Sequence, residues 1–141
     1  MAATTTRLVR VLALGLLLAA PPLARADALD PRLEAATQLY REEGAEKALP
    51  VFDQLASEFA RGSRTHDQAA ALHYVGECHW RLGNFADARR FLERALTLER
   101  AAGDRLSEGK TLNVLGLLSW DEGNYDAAIA NFREAGEIAR A

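Results

Sequence analysis

The sequence predicts an all-α fold, a solenoid of three helix hairpins (six helices) behind an N-terminal signal segment. Three observations carry this. First, the chain repeats itself at an offset of 40 residues: Ala36, Gly76 and Gly116 coincide, as do Ala48, Ala88 and Ala128, then Phe52, Leu92 and Phe132. Second, apolar residues inside each repeat recur every three or four positions, which marks one face of a helix, and nothing alternates with period two. Third, Gly83-Asn84 and Gly123-Asn124 divide the later repeats in two, because Gly and Asn adopt the left-handed conformation that ends a helix. One unit cannot bury both sides of its helices, so such units must stack.

Taken in order, residues 1–26 read as an address. Arg7 and Arg10 form a positive start, Val11 to Ala20 an apolar core, and Pro21-Pro22 break the run before Ala24-Arg25-Ala26. Small residues at the last and third-last positions predict cleavage after Ala26. The apolar run is shorter than the roughly 20 residues that cross a bilayer. Residues 27–141 form the repeat domain, with units at about 29–68, 69–108 and 109–141. The first opens at Pro31, which suits a helix's first turn, turns at Gly44 and closes in the polar stretch Gly62-Ser63-Arg64-Thr65. The second places Leu72, Val75, Gly76, His79 and Leu82 on one helix face, then Phe85, Ala88, Leu92, Ala95 and Leu96 on the next. Ala101-Ala102-Gly103-Asp104 closes it, and the third unit repeats the scheme to Ala141.

Composition narrows the function. With 17 basic against 20 acidic residues the net charge is −3, no footprint for nucleic acid. Removing residues 1–26 takes away three arginines and no acid, leaving a more acidic chain. The lone Cys78 rules out a disulfide framework and a cysteine-based zinc site within one chain. His73 and Glu77 share a helix face, but Cys78 and His79 point elsewhere, so no metal site forms. No phosphate-binding glycine loop, HExxH or GxSxG occurs, and the carboxylates are scattered. These features predict a protein without cofactor, metal or catalytic residues.

The repeats resemble the tetratricopeptide repeat family. The second unit supplies Leu72, Val75-Gly76, His79, Gly83, Phe85, Ala88, Leu92 and Ala95. The third supplies Leu112, Leu115-Gly116, Ser119, Gly123, Tyr125, Ala128, Phe132 and Ala135, and the first is degenerate. The spacing resembles a longer, 40-residue variety found in bacterial proteins. The resemblance implies a right-handed solenoid in which Gly76, Gly116, Ala88, Ala128, Ala95 and Ala135 let helices approach closely, with Phe85 and Tyr125 filling the gap after each turn. It also implies a concave face lined by the first helix of each unit. In the first unit these positions are Leu33, Thr37, Tyr40 and Arg41, and in the second Ala70, His73, Glu77, Trp80 and Arg81. The third adds Lys110, Asn113, Leu117, Trp120 and Asp121. Tyr40, Trp80 and Trp120 form an aromatic ladder with two readings, packing or an anchor for a peptide or protein partner. The subtype that clamps chaperone C-termini needs Lys and Asn where this chain has Leu33 and Thr37, so that reading is rejected.

Ile129 and Ile138 are expected to face outward past the last helix, an end open to self-association or a docking partner. The signal segment predicts export to the periplasm or beyond. The resemblance also carries an alternative, a repeat segment of a larger exported protein such as one with a caspase-like CHAT peptidase domain.

Overall fold

The computed structural model describes residues 28–141, and the predicted signal segment lies outside them. Among the described residues there are six helices and no strands: α1 (Pro31–Glu43), α2 (Ala45–Arg61), α3 (Thr65–Arg81), α4 (Phe85–Ala102), α5 (Arg105–Asp121) and α6 (Tyr125–Arg140). Local chemistry sets their ends. The Asp30 carboxylate accepts the Arg32 backbone N–H to open α1 with Pro31 in the first turn, and Asp104 and Asn124 accept from Ser107 and Ala127 to open α5 and α6. Gly83 and Gly123 take φ values of 78° and 76° at the matching turns. The turn after α2 places Ser63, at φ 54°, where the turn after α4 places Gly103.

The hairpins close as the small residues predict. A Cβ on Gly76 would stand 2.6 Å from Leu92 Cγ, and one on Gly116 only 2.5 Å from the Phe132 ring. Ala88, Ala95 and Ala128 are fully buried, and Ala135 is half-buried. Neighbouring units share a core in which Leu33, Phe52, Leu72 and Val75 meet, followed by a second built from Leu92, Leu96, Leu112, Leu115 and Leu118. The first helices of successive units touch each other, α1 with α3 and α3 with α5. The second helices (α2, α4, α6) do not. The stack therefore curves with α1, α3 and α5 on its inner side.

Three expectations are corrected. Leu33 does not line the inner surface: it is 2% exposed, because α2 and α3 cover it from both sides. Leu82 falls past the end of α3 and is exposed in the turn. Phe85 packs on the core, but Tyr125 is 55% exposed and lies edge-on to Trp120 instead of filling a gap. Ile138 lines the open cleft beyond α5 and α6, as expected, and it also leans on α5, where its Cγ2 would lie 3.3 Å from a Cβ on Gly109. Ile129 is open to solvent, as expected.

Candidate protein-interaction surface

The inner surface is assembled from three parallel stripes, one per unit, and the three ladder aromatics occupy equivalent positions in different states. The Tyr40 hydroxyl donates to Glu77 at 3.0 Å, a side chain of the next unit. Burial, with the Glu77 charge beside it, pushes that hydroxyl up to about 12. The Trp80 indole N–H donates to Asp121 of the following unit at 2.7 Å, and Arg81 lies over its ring at 4.8 Å. Trp120 has no such partner among the described residues and is 56% exposed. Two rungs of the ladder are thus clasps between repeats, and the third, packed only against Tyr125, is largely exposed.

His73 and Glu77 also serve the stack. His73 Nδ1 lies 2.8 Å from Thr111 Oγ1, and Thr111 donates to Glu99 at 2.9 Å. Burial, reinforced by the Lys110 charge, lowers the His73 imidazole to about 4, so it is neutral at pH 7. Glu99 is 2% exposed and its second oxygen has no partner; burial raises its carboxyl to about 7. His73 Nε2 and Glu77 Oε2 are 3.7 Å apart, and no three metal-binding side chains converge among the described residues. Cys78 is buried, which pushes its thiol up to about 12 and leaves it unreactive.

The exposed part of the surface is Arg41 on α1, Arg81 on α3, and Lys110, Asn113, Leu117 and Trp120 on α5. A cleft of about 460 Å³ runs between α1 and α3, lined by Glu34, Thr37, Gln38, Arg41, Ala70 and Tyr74. Apolar patches edged by charge in this way suit a peptide or protein better than a small molecule.

Sequence reasoning missed the buried polar layer. Asp67, Glu99, Glu108, Thr111 and Ser119 are all buried between repeats. Arg64 pairs with Asp30 and Asp67, Arg100 with Glu108, and Arg89 with Ser119 and Glu122. The signal was there: Glu99 continues the stripe Leu92–Leu96, and Thr111 and Ser119 fall in register with Leu112, Leu115 and Leu118.

Stacked helical hairpins with a polar inter-repeat layer and an open inner face define a helical-repeat scaffold for protein interactions. The model of the family described as tetratricopeptide repeat matches residues 67–141, just over half of the chain, and the chain belongs to that family. No curated protein gives a significant match. Tetratricopeptide repeats generally mediate protein–protein contacts without catalysis.

Proposed function

We propose that this chain is an exported, non-catalytic scaffold that holds a protein or peptide against its inner face. The observation that carries the reading is the contrast within the ladder: Tyr40 and Trp80 are spent on the stack, while Trp120 stands open on the exposed helix face that also carries Leu117, Asn113 and, further along, Lys110. Exposed tryptophan is the usual anchor of an interface. Arg41 and Arg81 extend the same stripe toward the first unit. Export rests on the pattern of residues 1–26, and the expected first residue of the mature protein is Asp27. Pull-down from the envelope fraction tests both parts. Trp120→Ala is expected to lose the captured partner while circular dichroism stays helical; unchanged capture rejects the inner face. Mass spectrometry that finds Met1 on the envelope protein rejects cleavage.

A second reading makes the chain the repeat part of a larger exported protein. An uncovered apolar cleft beyond α5 and α6 favours it. Coding sequence that runs past codon 141 into further repeats is its test.

A further inference from the structure

We propose that copies of this chain stack head to tail, the cleft beyond α5 and α6 of one copy receiving α1 of the next. Two complementary ends carry this. At the far end a cleft of about 640 Å³ exposes Leu106, Phe132 and Ala135, and its charged lining, Arg105 and Lys110, is entirely cationic. Forty residues earlier, Leu92 and Ala95 stand where Phe132 and Ala135 stand, and both are fully buried in the middle of the stack. At the near end a cleft of about 380 Å³ between α1 and α2 exposes Ala35, Leu39 and Val51. Each end is one side of an interface that the chain already makes twice within itself.

The 40-residue period sets the register of the contact, and the residues match. Between the second and third units Arg89 meets Ser119, and Glu99 meets Thr111. One period further, these pairs become Ile129 against Leu39 and Ala139 against Pro31 of the next copy. In these two pairs the inner interface sets polar against polar and the two ends set apolar against apolar; the Arg89–Glu122 pair becomes Ile129 against the aliphatic stem of Glu42. Charge agrees. Ala70 and Tyr74 share one cleft with Asp30 and Pro31, so the same step places Lys110 beside Asp30 and Glu34 of the next copy. Neither Lys110 nor Glu34 has an ion-pair partner among the described residues. A contact between two different surfaces does not close on itself, so the product is an open filament. This contact does not depend on the inner-face reading.

Light scattering on the purified protein between roughly 10 µM and 1 mM tests it, since a modest interface of this kind binds in that range. The average mass is expected to rise with concentration. Ala35→Glu blocks only the near end and Ile129→Glu only the far end; both residues are exposed, and circular dichroism checks that the variants fold. Each variant alone is expected to stay monomeric. Their equimolar mixture is expected to stop at a dimer, because one intact near end then meets one intact far end. Wild-type protein that stays monomeric throughout overturns the proposal. So does association that Ile129→Glu abolishes but Ala35→Glu leaves intact, which signifies a symmetric far-end dimer.

Discussion

At Gly116 a single methyl group decides whether α5 and α6 can touch. Its Cβ would enter the Phe132 ring, so the ring or the helices must shift to admit it. Gly116→Ala should therefore destabilise the fold by roughly 1–3 kcal/mol in urea unfolding, the usual cost of overpacking. Gly136 is the matched control. It sits inside α6 with nothing nearer to a new Cβ than Arg140 Nη1 at 3.7 Å. Gly136→Ala should stabilise the chain by up to about 1 kcal/mol through helix propensity. Ser63 presents the opposite case, a side chain where the backbone wants none: its positive φ costs roughly 1–2 kcal/mol relative to glycine. Ser63→Gly should recover about that amount, read as a higher urea midpoint with unchanged slope.

Between α3, α4 and α5 two buried titrating groups oppose each other. Glu99 rises from 4.5 to about 7 through burial, with Asp104 and Glu108 adding to the rise and Thr111 and His66 working against it. The folded chain holds this proton more tightly than the unfolded chain, so Glu99's contribution is whole below pH 4.5 and is lost as pH climbs through 7. His73 falls from 6.5 to about 4 through burial and the Lys110 charge. The folded chain resists this protonation, so its contribution is whole above pH 6.5 and is lost as pH drops through 4. In the wild type the two slopes run against each other between pH 4.5 and 6.5. Each single variant should expose the other's slope. Glu99→Gln should gain stability with rising pH in that window, and His73→Gln should lose it, both read from urea midpoints.

The whole molecule behaves as a short one-dimensional stack in which each unit is held by its neighbours. The middle hairpin, α3 and α4, is covered on both sides and contains more of the buried side chains than either flanking hairpin. By contrast α6 buries only Ala128 completely. Amide exchange should accordingly be slowest in α3 and α4 and fastest among the helices in α6, with α6 opening at a free energy well below that of global unfolding. Uniform protection across all six helices would contradict this. In a head-to-tail filament, the protection of α6 should increase with protein concentration.

Helix existence, order and approximate ends were legible in the sequence, because they follow from local patterns: a 3.6-residue apolar period, glycine-asparagine turns and small residues at the close contacts. The clasped and exposed states of the ladder were not. Tyr40, Trp80 and Trp120 share one sequence offset and therefore one local description. Whether each is bonded depends on Glu77 and Asp121, which belong to the following repeat. The same holds for Leu33, whose burial comes from α2 and α3. The amino-acid sequence by itself determined that hairpins form and that they must stack, because an amphipathic helix carries its apolar face wherever it goes. Only the tertiary structure decided which polar side chains were sealed between repeats and which aromatic was left facing solvent, because burial is set by the neighbouring unit and not by the residue's own turn of helix.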